Sequence, residues 1–120
     1  MQLQESAQMY IETIYVLSQR SNNVRSVDVA EYMGFSKPSV SRAVGLLKSG
    51  GYVAMAEDGS LSLTDLGLSE AQKIFERHTV LSKFLIQLGV DEETAAMDAC
   101  RIEHVISDET LSAIKNSLKN

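Results

Sequence analysis

The segment of residues 36–64 constrains the fold more than any other part of the chain. It begins with a serine that can cap a helix and a proline in the first helical turn, and this helix is expected to end at Gly50-Gly51. Two short alternating runs then flank Asp58-Gly59, a dipeptide that is typical of tight β-hairpin turns. A helix followed directly by a hairpin predicts a winged helix-turn-helix, provided that a second short helix precedes it.

The rest of the chain has apolar residues at helical spacing. Further helices are predicted at residues 4–20, 26–33, 65–88, 91–106 and 107–118. Residues 26–33 supply the short helix that the motif requires, because they begin with Ser26 and stop at Gly34. We therefore predict a mainly α fold. It has an N-terminal winged helix-turn-helix DNA-binding domain with a small β-hairpin wing (residues 1–64) and a helical dimerisation domain (residues 65–120).

Charge is distributed unevenly between these two parts. The net charge of −5 argues against a protein that binds nucleic acid through charge alone, but residues 1–52 carry +1 and residues 53–120 carry −6. The N-terminal part is therefore free to approach DNA. Because its positive charge is small, we expect two copies to be needed, and we predict a homodimer that places two recognition helices on a palindromic site.

The composition also bears on the cellular compartment. The sequence contains no run of 18 apolar residues, so no membrane span is predicted, and its N-terminus lacks the basic start and apolar block of a signal peptide. A single cysteine cannot form an internal disulfide. Together these features predict a reducing, cytoplasmic setting.

The predicted DNA contact is the start of the second helix of the motif, which enters the major groove N-terminus first. Hydroxyl side chains there can donate to phosphates or base edges, while a lysine and an arginine supply charge, and arginine can read guanine through two hydrogen bonds. The predicted DNA-binding residues are Ser36, Lys37, Pro38, Ser39, Ser41 and Arg42. The alternative is a capped surface helix with solvated charges, which the serines alone do not exclude.

A second candidate site begins with Cys100, Glu103 and His104. A helix places positions i, i+3 and i+4 on one face, here beside the apolar stripe of the same helix rather than within it. A neighbouring helix could add ligands. The further candidates are Met9, Glu12 and His78. A methionine or a lone cysteine more often packs in a core, and a lone histidine or glutamate is more often solvated, so periodicity alone leaves both readings open.

Three stretches of the chain resemble one family. They are MYIETIYVL at residues 9–17, ERHTVLSKFLIQLGVDEE at 76–93 and DACRIEHVISDE at 98–109. They are similar to the metal-dependent repressors of the diphtheria toxin repressor and manganese transport regulator family, and the similarity extends over essentially the whole chain. The resemblance implies a homodimeric winged-helix repressor that binds operator DNA when a divalent metal is bound, and it makes residues 65–120 a metal-binding as well as a dimerisation domain.

The resemblance also implies a ligand set. In the iron-responsive branch the regulatory site is matched by Met9, Cys100, Glu103 and His104. In the manganese-responsive branch Glu12 and His78 match ligands as well. In the iron branch His78 instead matches a ligand of a second, ancillary site. Ser82 and Ala96 stand where a Glu and a His of that site would be, so an intact second site is not expected. Thiolate and thioether favour softer ions, which makes Fe²⁺ the first expectation and Mn²⁺ the second, with Co²⁺, Ni²⁺ or Zn²⁺ able to bind in vitro.

Two other functions compete with a metal-activated repressor. An enzyme is not expected, because six candidate ligands leave little open coordination and the chain has no glycine-rich loop. The stronger alternative is a metal-independent winged-helix regulator in which Cys100 senses oxidation.

Overall fold

The computed structural model describes residues 5–118, which form six helices and one β-hairpin. In chain order the elements are α1 (Glu5–Arg20), α2 (Ser26–Met33), α3 (Lys37–Ser49), β1 (Val53–Met55), β2 (Leu61–Leu63), α4 (Asp65–Gln87), α5 (Glu92–Ile102) and α6 (Asp108–Leu118). The prediction of a mainly α fold with a helix-turn-helix and a hairpin wing is confirmed. The chain divides into two compact units, an N-terminal unit up to Ala71 and a C-terminal unit from Gln72 onward.

The N-terminal unit is built on three helices with a common apolar core. Ile11 and Ile14 of α1, Val29 of α2 and Val40 and Val44 of α3 are at most 2% exposed. Because these residues recur at helical spacing, each helix turns one stripe toward the core and leaves its opposite face in solvent. The opposite face of α3 is therefore exposed.

The turn between α2 and α3 follows local chemistry. Gly34 adopts a left-handed conformation (φ 72°), and its N–H donates to the Ala30 carbonyl oxygen at 2.9 Å, which ends α2. Ser36 then caps α3, since its Oγ accepts a hydrogen bond from the Ser39 N–H at 3.3 Å. Pro38 lies in the first turn, where its missing N–H leaves no helical hydrogen bond unmade.

The wing is an antiparallel pair in which Val53 faces Leu63 and Met55 faces Leu61. Leu61 also donates from its N–H to the Val24 carbonyl oxygen at 2.6 Å, which fixes the wing to the loop between α1 and α2. At the start of α4, a Cβ on Gly67 would lie 2.0 Å from the Tyr52 carbonyl oxygen. Only glycine therefore permits this close approach between helix and backbone.

The C-terminal unit comprises the remainder of α4 with α5 and α6. Its buried apolar residues include Ile74, Leu81, Ala95 and Ala99. Asp91 caps α5 by accepting a hydrogen bond from the Thr94 N–H at 3.1 Å. No helix in the described part of the chain is both long enough and apolar enough to cross a membrane.

One predicted boundary is wrong in this unit. The helix expected to run through Ile106 ends at Ile102, and residues 103–105 form a turn. The Glu103 N–H still bonds to the Ala99 carbonyl oxygen at 2.9 Å, but the Val105 N–H bonds three residues back, to Ile102. The Ile106 N–H also bonds to the Ile102 carbonyl oxygen, and Ser107 then caps α6, its Oγ accepting from the Thr110 N–H at 3.1 Å.

Candidate metal centre and DNA-binding helix

Three side chains of the C-terminal unit meet at Glu103. Its carboxylate is fully buried, with 0% of the side chain exposed. Oε2 lies 2.9 Å from Nδ1 of His78, and Oε1 lies 3.4 Å from Nε2 of His104. The His104 side chain is 1% exposed and that of His78 is 32% exposed. A buried carboxylate thus lies between two imidazoles, one enclosed and one open to solvent.

The end of α5 produces this arrangement. Glu103 has helical dihedrals (φ −57°, ψ −25°) but follows the last helical residue, so it belongs to the turn that also carries His104. His78 comes from α4, which packs beside this turn within the same unit. Two consecutive residues of a turn and one residue of a helix therefore place their polar atoms together.

The residues present fit a divalent metal ion. An ionised carboxylate is costly to bury unless positive charge or hydrogen bonds offset the lost hydration. Imidazole nitrogen and carboxylate oxygen are ligands for Fe²⁺, Mn²⁺ and Zn²⁺ alike. Metal-ligating groups are commonly oriented by a second hydrogen bond, and the contact between His78 and Glu103 is of that kind.

The other predicted ligands have different environments. Cys100, one turn before Glu103 on α5, is exposed, whereas Glu103 is fully buried. Met9 and Glu12 are half-buried on α1 and belong to the N-terminal unit. Metal binding stays a prediction for all six candidate ligands.

Arg77 hydrogen-bonds to the turn that carries Glu103, a contact that the sequence did not predict. Its guanidinium donates to the Glu103 carbonyl oxygen at 3.1 Å and to the Asp108 carboxylate at 2.6 Å. Neither partner lies within a helical turn of Arg77 along the chain, so spacing carries no signal for these bonds. The only hint in the sequence is its position directly before His78.

The predicted DNA-binding residues lie together at the start of α3. Lys37, Pro38, Ser41 and Arg42 are exposed. Two serines are engaged locally, because the Ser36 hydroxyl donates to Ser39 Oγ at 2.9 Å and Arg42 Nη2 donates to the same oxygen at 3.4 Å. The structure therefore presents two cations and several hydroxyls on one exposed surface, while Ser36 and Ser39 also stabilise the helix start. DNA contact by these six residues stays a prediction.

Two further residues of α3 extend this exposed face. Leu46 is 76% exposed. Gly45 lies beside it, and within residues 5–118 no neighbouring heavy atom is within 4 Å of the position that a Cβ would take. Unlike Gly67, Gly45 therefore has no contact in this part of the chain that requires glycine.

Comparison with known proteins covers both units. Residues 2–61 match the family model described as the iron dependent repressor, N-terminal DNA binding domain. Residues 64–120 match the iron dependent repressor, metal binding and dimerisation domain.

Several curated relatives have similar sequences. An uncharacterized HTH-type transcriptional regulator of Methanocaldococcus jannaschii is 32% identical over 115 residues, which covers 94% of this chain and 92% of that protein. The transcriptional regulator MntR of Escherichia coli is 37% identical over 106 residues, or 88% of this chain and 68% of that protein. The diphtheria toxin repressor of Corynebacterium diphtheriae is 32% identical over 119 residues, or 98% of this chain and 53% of that protein. The names describe regulators and repressors rather than enzymes.

Solved structures have the same fold. A manganese-dependent transcriptional repressor in complex with manganese superimposes with a TM-score of 0.86 at 29% identity, covering 94% of this chain and 52% of that chain. The metal-dependent transcriptional regulator MtsR gives a TM-score of 0.87 at 25% identity, covering 94% and 53%. This chain spans about half the length of these two proteins and of the diphtheria toxin repressor.

Proposed function

This chain belongs to the iron-dependent repressor family, and we propose that it is a homodimeric repressor that binds palindromic operator DNA when a divalent metal ion is bound. Its targets would be genes of metal homeostasis, and its setting the cytoplasm. One observation carries the proposal: a fully buried Glu103 lies between His78 and His104, inside the part of the chain that matches the metal-binding and dimerisation model.

The proposed ligands come from three helices and one turn. They are Met9, Glu12, His78, Cys100, Glu103 and His104. The buried carboxylate and imidazole support binding of either iron or manganese, whereas the thioether and the thiol favour the softer ion. Fe²⁺ is therefore the first candidate and Mn²⁺ the second.

The residues of the C-terminal unit have distinct tasks in this mechanism. Glu103 offers a carboxylate and His104 offers Nε2, both enclosed and therefore restricted to one arrangement. His78 either ligates or orients the carboxylate through Nδ1. The ion, when bound, supplies positive charge that offsets the cost of burying the carboxylate.

Repression requires that metal binding and DNA binding be coupled. If Met9 and Glu12 of α1 are ligands, the metal affinity depends on the conformation of the unit that carries α3. Metal then shifts the population toward the conformation that binds DNA, and DNA increases the metal affinity by the same factor.

DNA selection tests the proposal. Duplexes enriched from a random pool by the wild type with anaerobic Fe²⁺ or with Mn²⁺ would be assayed by fluorescence anisotropy, with metal or with chelator at one salt concentration. We expect binding that requires metal, a palindromic consensus, and loss of binding for Glu103→Gln with His104→Ala. The exposed Glu93→Gln on α5 is the matched control and should bind as the wild type does. Equal binding with chelator would refute metal activation.

A further inference from the structure

We propose that Arg77 is a positioning residue of the metal centre, holding the turn that carries Glu103 and His104 in the arrangement that binds metal. This inference rests on the proposed function of that centre. Arg77 is not itself a ligand in this scheme. Its guanidinium acts through the backbone of Glu103.

Arg77 connects both ends of the segment between α5 and α6. Nη1 donates to the Glu103 carbonyl oxygen at 3.1 Å, and Nη2 donates to Asp108 Oδ1 at 2.6 Å. Only 15% of the Arg77 side chain is exposed. The mostly buried Arg77 side chain therefore bonds to Glu103, the first residue of this segment, and to Asp108, the first residue of α6.

Glu103 is consequently held at two points by consecutive residues of α4. Arg77 bonds its carbonyl oxygen, and His78 contacts its carboxylate at 2.9 Å. Glu103 directly follows the last residue of α5, so the bond from Arg77 links α4 to the backbone at the start of the turn. Without that bond the peptide that joins Glu103 to His104 could rotate, and both side chains would leave their positions.

The guanidinium suits this role for two reasons. Its planar fork donates to both acceptors at once, which a lysine ammonium on a flexible stem does not reproduce. Its charge is also paired with Asp108 rather than directed only at the site of a cation. Arg77 can therefore hold the turn in place while Asp108 offsets the repulsion between the guanidinium and a bound metal cation.

The chain provides a matched control on the same two helices. Lys115 of α6 and Glu76 of α4 form an ion pair at 2.5 Å, one residue away from Arg77 along α4. Lys115→Ala removes a link between α4 and α6 without touching the turn. Because this pair is about half exposed whereas the Arg77 side chain is 15% exposed, the two substitutions are compared through stability as well as affinity. A purely structural role of Arg77 predicts that any loss of metal affinity follows the loss of thermal stability in both variants.

The experiment titrates metal-free protein with Co²⁺, following its d–d absorbance, for the wild type, Arg77→Ala, Arg77→Lys and Lys115→Ala. We expect the Kd for Co²⁺ to rise about tenfold or more in both Arg77 variants, with a changed spectrum. Lys115→Ala should keep the wild-type spectrum and a Kd within about twofold of the wild type, since it leaves the ligands in place. Thermal unfolding of the metal-free proteins measures the stability that each variant loses.

Each outcome decides the question. Arg77 variants with wild-type Kd and spectrum, or a Lys115→Ala variant with an equal loss of affinity, would overturn the positioning role and leave the proposed function standing. A wild type that binds no Co²⁺ would overturn both. If Arg77→Ala fails to fold, the same Co²⁺ titration is made with Arg77→Lys and Asp108→Asn. Each of these substitutions weakens the hydrogen bonds of Arg77 to Glu103 and Asp108 without removing both side chains.

Discussion

Gly45→Ala is expected to change stability and DNA binding in opposite directions. Gly45 is the ninth of the thirteen residues of α3, well inside the helix, and a Cβ there meets no neighbouring heavy atom of the described residues within 4 Å. Alanine is favoured over glycine in a helix interior by about 1 kcal/mol, and here no steric cost opposes it. For a chain of 120 residues that free energy corresponds to a rise in Tm of roughly 4 °C.

DNA binding should weaken because the same methyl group points out of the exposed face of α3. Glycine allows a backbone to approach a ligand closely, and Gly45 follows Ser41 by one helical turn on the face that we propose to meet DNA. We expect the Kd for the selected duplex to rise about tenfold, equivalent to about 1.4 kcal/mol. Thermal melts without DNA and anisotropy at fixed salt measure the two effects separately.

Ser49→Ala is the matched control for this prediction. Ser49 is exposed in the last turn of α3, and the helix enters the groove with its other end. This substitution should raise Tm slightly and leave the Kd unchanged. A Gly45→Ala protein that is more stable and binds DNA as tightly as the wild type would refute the close approach.

Three further predictions follow from local geometry and chemistry. Gly67→Ala should lower the free energy of unfolding by about 2 kcal/mol, because its Cβ would lie 2.0 Å from the Tyr52 carbonyl oxygen. An unchanged midpoint in urea unfolding would contradict this and show that α4 can move away from Tyr52. Hydrogen bonds from Thr94, its hydroxyl first and its backbone amide second, lower the pKa of Asp91 below 3.8, so this carboxylate stabilises the fold above that pH and the contribution is lost as pH falls through the lowered pKa. Asp91→Asn keeps a cap that does not titrate, so the Tm advantage of the wild type over this variant should be constant well above pH 3.8 and shrink as the pH falls below that value. A difference that stays constant down to the acid limit of folding would contradict the assignment. Cys100→Glu should retain metal-dependent DNA binding but shift preference toward Mn²⁺, whereas a redox sensor would lose its response to peroxide.

Local turn and cap chemistry explains why much of the fold was predictable. Ser36 and Pro38 mark the start of α3, Gly50 its end, and Asp58-Gly59 the wing, because each acts through backbone geometry within a few residues. The end of α5 was not predictable in this way. No glycine or proline follows Ile102, and the helix stops where the turn is hydrogen-bonded by Arg77 from α4.

The candidate metal centre was likewise predictable in part from the sequence and in part only from the tertiary structure. The sequence predicted that Cys100, Glu103 and His104 share one helical face and that His78 is a candidate partner, although α5 ends at Ile102 and the last two residues of that trio lie in the turn that follows it. Only the tertiary structure decided that Glu103 and His104 are enclosed while Cys100 is exposed. Burial depends on tertiary contacts, and the contacts that Arg77 and His78 of α4 make with Glu103 join residues that are far apart in sequence.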